Sequence, residues 1–194
     1  MSTVPIFADE SWRLPSRGRV GMLSLIIGES AIFTIFVVAY IYYIGRRTYG
    51  PTPKILELPI FNSICLISSS VTIILAEHAI KQGSIRRFAA LWALTMLLGL
   101  EFLAGTAIEW RKLIFEDHLS IRSNLFGTTF YSLVGLHATH VVVGLIGLSL
   151  VMIFTLAGRV QQKHAERIQV LALYWHFVDA VWVVVFTVVY IVGR

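Results

Sequence analysis

Five ionisable side chains lie inside long apolar runs, and they are of the types that exchange protons or bind metals. His176 and Asp179 stand three residues apart in Tyr174-Trp175-His176-Phe177-Val178-Asp179, within the run from Ile168 to Val192. That spacing puts them on one helical face, a turn apart, and neither is stable in hydrocarbon without a partner. They are read as a structural polar pair. Glu29 lies roughly 14 Å along the first run, near mid-membrane if that run is a helix. Two readings stay open for it: a proton-exchanging or lipid-contacting carboxyl, or a neutral acid hydrogen-bonded to a neighbouring helix. His137 and His140 are three apart on the fourth run at a comparable depth. Imidazoles on facing helices can ligate haem or a metal, and His176 could supply a third. No second histidine pair has the wide spacing of a bis-histidine haem stack, so structural hydrogen bonding is the favoured reading and no metal site is assigned.

The remaining polar residues are less specific. The six histidines (78, 118, 137, 140, 164 and 176) are spread over helices and loops, too scattered to supply the haem and copper ligands of a respiratory core. The single cysteine, Cys65, excludes an internal disulfide and any four-cysteine iron–sulfur site made by this chain alone. Glu101 is flanked by Leu100 and Phe102, with Gly99, Ala104 and Gly105 allowing close helix approach. Glu77 and His78 mark a membrane boundary. Asn62, Ser63, Ser68, Ser69, Ser70 and Thr72 form a hydroxyl-rich stripe suited to helix packing. Trp110, Trp175 and Trp182 fit an aromatic belt at the interfaces; Trp175 and Trp182, seven apart on one face, fit ordinary helix packing as well. No nucleophile with a base, phosphate-binding glycine loop or dinucleotide fingerprint is present.

Helices must position these groups. Of 194 residues, 57% are hydrophobic and 14% charged, against about 25% charged in a soluble domain. Mean hydropathy is +0.77. Five runs reach the ~20 residues a bilayer requires, approximately Val20 to Ile44, Pro59 to Ile80, Phe88 to Ile108, Leu125 to Ala157 and Ile168 to Val192. The expected fold is all-α, a polytopic bundle of five transmembrane helices, with residues 1–19 a cytoplasmic N-terminal segment and 20–194 one membrane domain. Gly50, Pro51 and Pro53 mark the loop from Gly45 to Leu58 as exposed. The net charge of +5 sits at span ends, where it meets lipid headgroups, and nucleic-acid binding is set aside. The first 19 residues carry Arg13, Arg17 and Arg19 without a short apolar core and cleavage site, so the first span is expected to act as the insertion signal. Nine Lys and Arg on the N-terminal side, against seven opposite, favour a cytoplasmic N-terminus and an external C-terminus.

Four segments in order resemble subunit III of the haem–copper terminal oxidases. They are Gly21-Met22 through Glu29 and Phe33; Pro59, Asn62, the serine run and Val71 to His78; Phe126-Gly127-Thr128-Thr129-Phe130-Tyr131 with Gly135-Leu136-His137-Ala138-Thr139-His140-Val141; and Tyr174 to Asp179 with Val181-Trp182. The resemblance covers nearly all the chain after residue 19. It implies a non-catalytic subunit of an aa3-type oxidase in a bacterial cell membrane, packed beside subunit I. Phospholipid would be bound by this chain, with haem and copper in partner subunits. It also implies support for proton uptake and sustained turnover; other oxidase subunits, and beyond them a respiratory supercomplex, are the implied partners. By resemblance Glu29 matches a buried carboxyl that reacts with carbodiimides. His137 and His140 match paired histidines, His176 and Asp179 match a last-helix pair, and Arg159 falls near a basic position that meets lipid phosphate.

The departures are also legible. The larger form has seven helices with lipid in a cleft behind its first two, and this chain begins at the third. Ala138 and Thr139 occupy the glycine-like positions between the histidines, and the Gly105-Thr106 region replaces a glutamine usual ahead of Glu109-Trp110. Glu101 stands where relatives commonly carry an apolar or aromatic residue, which leaves a contact with a partner subunit open to it. A quinol oxidase subunit is the nearest alternative; Tyr174 favours cytochrome c as donor. A b-type cytochrome, or a transporter built on Glu29 and Glu101, are the other classes considered.

Overall fold

The computed structural model describes residues 16–44 and 51–193. Five helices long and apolar enough to cross a membrane follow one another: α1 (Arg17–Ile44), α2 (Ile60–Lys81), α3 (Ile85–Phe115), α4 (Leu125–Leu156) and α5 (Ala165–Phe186), the last continuing as a π-helix over Thr187–Val192. There is no strand among the described residues. The all-α, five-span expectation therefore holds, with each span in its expected place. Arg13, Arg46, Arg47 and Arg194, counted for orientation, lie outside the described residues, as do Gly45 to Gly50 of the first loop and most of the N-terminal segment.

Local chemistry sets the helix ends. α2 and α4 both stop in a glycine at positive φ, Gly83 (75°) and Gly158 (69°). In each case the next residue bonds back five positions, Ser84 N to Ala79 O and Arg159 N to Phe154 O. That pattern satisfies the last carbonyls, and a residue with a Cβ would be strained there. α4 starts at Asn124, whose side chain accepts from Gly127 N at 2.8 Å. α3 runs two turns past the expected end at Ile108. Its extra turns are charged, and they are held from outside the helix: Tyr190 Oη donates to Glu109 at 2.9 Å, and Lys112 is joined to Glu57 of the loop ahead of α2.

α5 is the centre of the bundle, packing on α1, α2 and α4. Its Trp175 and Trp182 are 0% and 1% exposed, so these two are core residues and not an interfacial belt. The reason is steric as well as polar. The Trp175 ring fills a slot cut by Gly99 of α3 and Gly144 of α4, where an added Cβ would come within 2.8 Å of it. Its Nε1 donates to Ser69 Oγ of α2 at 2.8 Å, and Trp182 Nε1 donates to Ser63 Oγ at 3.1 Å. Thr72 meets Thr95 of α3 at 2.7 Å. Lipid is as apolar as these helices, so close packing and such hydrogen bonds, not desolvation, must drive their association. The α2 hydroxyl stripe supplies both, which is the packing role its composition suggests.

Candidate functional site

Three polar clusters occupy the bundle, and they divide the sequence-derived site residues differently from their spacing. On α5, His176 and Asp179 meet through Ser70 of α2. Ser70 Oγ lies 3.0 Å from His176 Nδ1 and is also hydrogen-bonded to Asp179 Oδ2. The Ser70 hydroxyl thus stands between the two side chains, in contact with both. Ser69 Oγ, bonded to Leu66 O at 2.6 Å, adds a weaker contact to Asp179 Oδ2 at 3.4 Å. Asp179 is 5% exposed, and its Oδ1 is buried without a hydrogen-bond partner. The expected pair is thus a relay of three side chains. Ser70 is the member that spacing could not name, although a buried acid facing a serine run is the signal for it.

His137 and His140 diverge. His137 is fully buried, stacked on Trp182 with ring centroids 5.0 Å apart and edge-on to Phe102 at 5.6 Å. Neither of its ring nitrogens has a hydrogen-bond partner. His140 turns to the other side of α4 and reaches Glu29 of α1, Nε2 to Oε2 at 3.1 Å. Its Nδ1 sits 2.8 Å from Leu136 O. A carbonyl only accepts, so Nδ1 carries the hydrogen, and the Nε2–Oε2 contact must hold one proton, placed on either partner. The pair is half-buried, with side-chain exposures of 13% for His140 and 24% for Glu29. Phe33 covers the imidazole at 5.0 Å, and Tyr174 Oη donates to His140 O at 3.2 Å. The three histidines weighed as ligands therefore face three different neighbours. Among the described residues no group of three His, Cys, Asp or Glu could hold a metal ion.

The third cluster lies at the end of α4. Arg159, placed by the Gly158 turn, shares a cavity of about 420 Å³ with His164, Arg167, Val151, Phe154, Val160 and Ile168. Two guanidinium groups above an apolar wall can hold a phosphate headgroup with its acyl chain alongside. Arg167 and His164 were legible only as loop charges. The turn back into α5 brings them to Arg159: Gln161 N donates to His164 Nδ1 at 3.1 Å in a capping box that orients the ring. Between this end and α1, Arg19 donates to Gln169 Oε1 and Gln169 to Glu77 Oε2, each at 3.4 Å.

Comparison with known proteins converges on the same family. A family profile described as cytochrome c oxidase subunit III matches residues 15–194. A cytochrome c oxidase subunit 3 from Alkalihalophilus pseudofirmus is 33% identical over 169 residues, covering 86% of this chain and 82% of that protein. Proteins of the same description from a Bacillus species and from Synechocystis are 29% and 34% identical, covering 98% and 91% of this chain and 94% and 76% of their own lengths. With five spanning helices and a match over nearly its whole length, the chain is a multi-pass membrane protein that belongs to the cytochrome c oxidase subunit III family.

Proposed function

We propose that this chain is the non-catalytic subunit III of an aa3-type cytochrome c oxidase, packed beside subunit I, where it binds phospholipid and supports proton uptake and sustained turnover. The observation that carries the proton part is the Glu29–His140 contact, an acid and a base across α1 and α4 that share one proton. Such a pair can pass its proton between two atoms about 3 Å apart without a side-chain rearrangement. Glu29→Gln keeps the shape and removes the acid. The variant oxidase is expected to assemble and start at the native rate, then lose activity several-fold faster in prolonged turnover; decay at the native rate would reduce the pair to packing.

The Arg159, His164 and Arg167 cavity supports the lipid part of this reading: it offers cationic donors at a helix end beside an apolar wall. The redox centres belong, on this reading, to partner subunits, and cytochrome c is the electron donor. The cell membrane of a bacterium, with the N-terminus cytoplasmic and the C-terminus external, is the corresponding location. An odd number of candidate spans supports termini on opposite sides of the membrane.

A further inference from the structure

A recess of about 380 Å³ opens between α3 and the loop that leads into α2, on the side of the bundle away from the Arg159 cluster. Four carboxyl groups line it, Glu57, Glu101, Glu109 and Asp117, with one cation, Lys112. Lys112 is bound to Glu57, and Glu109 accepts from Tyr190. Glu101 is left. It sits near the midpoint of the 31-residue α3, and its Oε2 is sealed from solvent without a hydrogen-bond partner. Its carboxyl interacts with the Cys65 thiol of α2. A carboxyl at that depth calls for a donor, and an ionised one for a cation. The rim beside it is apolar and exposed, Leu97 at 62%, Leu100 at 51% and Ile108 at 71%, with the small Ala104 between them. A small residue on such a stripe lets another helix approach closely.

We infer that this recess docks a transmembrane helix of another subunit, one that carries a lysine or arginine at the depth of Glu101. Charge balance asks for a cation, and depth decides which kind. Glu101 lies about 16 Å below Lys112 along the helix axis. A lipid whose headgroup met Lys112 would lay only acyl chain beside Glu101 and leave it no donor beyond the weak Cys65 thiol. A helix can present apolar side chains to Leu97, Leu100 and Ile108 while one long basic side chain reaches the acid. The inference rests on the reading of this chain as a subunit of a membrane complex.

Cys65, the one cysteine of the chain, is a built-in reporter beside Glu101. Membranes holding the intact oxidase would be treated with a benzophenone maleimide and irradiated, and adducts of this chain mapped by mass spectrometry, for the native protein and for Glu101→Gln and Glu101→Leu. The expected result is an adduct on a spanning segment of another subunit within two turns of a lysine or arginine. Its yield should fall several-fold in Glu101→Gln and at least tenfold in Glu101→Leu, with loss of that subunit during detergent purification. Adducts confined to lipid, a target segment without a basic residue, or equal yields in all three would overturn the inference. If Glu101→Leu fails to insert, the isosteric Glu101→Gln decides. A chain that purifies with no oxidase subunit refutes the functional reading itself; one that purifies with them but gives no such adduct refutes only the docking.

Discussion

His137 presents the sharpest imbalance at the scale of single residues. A neutral imidazole has one N–H to give and one lone pair to fill, and here both are enclosed by Trp182 and Phe102 with no partner. A buried unmet polar group costs about 1–3 kcal/mol, whereas an apolar ring of similar shape carries no such burden. His137→Phe is therefore expected to leave the melting temperature of the purified complex unchanged or raised, while His137→Ala opens a cavity and lowers stability by about 2–4 kcal/mol. A clear loss in His137→Phe would show that the imidazole is hydrogen-bonded in the working complex. Ser70 poses the opposite case, because one hydroxyl serves both His176 and Asp179. Ser70→Ala strands both, so a loss of about 1–3 kcal/mol is expected. Combined with Asp179→Asn it should be markedly less than additive, since the two substitutions interrupt one network. Additive losses in thermal melts of the double variant would dissolve the relay into separate contacts.

Helix packing around Trp175 gives a test at the scale of elements. Gly144→Ala places a methyl 2.8 Å from the indole, in a slot already closed on the far side by Gly99. Overpacking of this kind typically costs about 1–3 kcal/mol, which should appear as a lower melting temperature and reduced incorporation. Gly28→Ala on α1, with nothing within 4 Å of the added carbon, is the matched control. It should be neutral or stabilising by up to about 1 kcal/mol, through helix propensity alone. Equal effects at the two sites would refute the wedge. The spans themselves were legible because hydropathy reports length against bilayer thickness. The end of α3 was not, because Glu109 to Phe115 stays helical through bonds supplied by Tyr190 and Glu57, both distant in sequence. The inward faces were hidden for a different reason. In water a helix shows its core side by contrast with a polar one, but in lipid both sides are apolar. Spacing could therefore place His137 and His140 on one side of α4 in principle, yet only the packing of α1, α3 and α5 shows that one ring faces Glu29 and the other Trp182. The chemistry of the sites was readable residue by residue; which residue answers which was not.

At the scale of the whole molecule, an exposed ion pair ties two distant parts of the chain together. Glu57, in the loop ahead of α2, is held below the usual carboxylate range by its hydrogen bond to Lys112 near the end of α3 and by that ammonium's charge. Because its value is depressed in the folded protein, its contribution is present above the unfolded-state carboxylate range and disappears as pH falls through the lower folded value. Melting curves of native protein and Glu57→Gln should therefore differ slightly at neutral pH and low salt. They should converge on acidification and at high ionic strength, as the exposed pair is neutralised or screened. A difference that grows toward acid pH would contradict the assignment.

The central place of α5 has a further consequence, for how the bundle comes into being. Ribosomes deliver the chain from its N-terminus, so α1 to α4 enter the membrane while the helix they surround is still unmade. Until then the slot between Gly99 and Gly144 is open, and the serines of α2 have no indole to answer. Insertion and assembly are thus separate events in time. The four earlier helices can already meet one another, α2 on α3 and α4 on both α1 and α3, and arrival of the last one fills the slot they leave. A ribosome stalled before α5 should leave a nascent chain that is fully inserted, yet open to proteases and to the cell's membrane quality control.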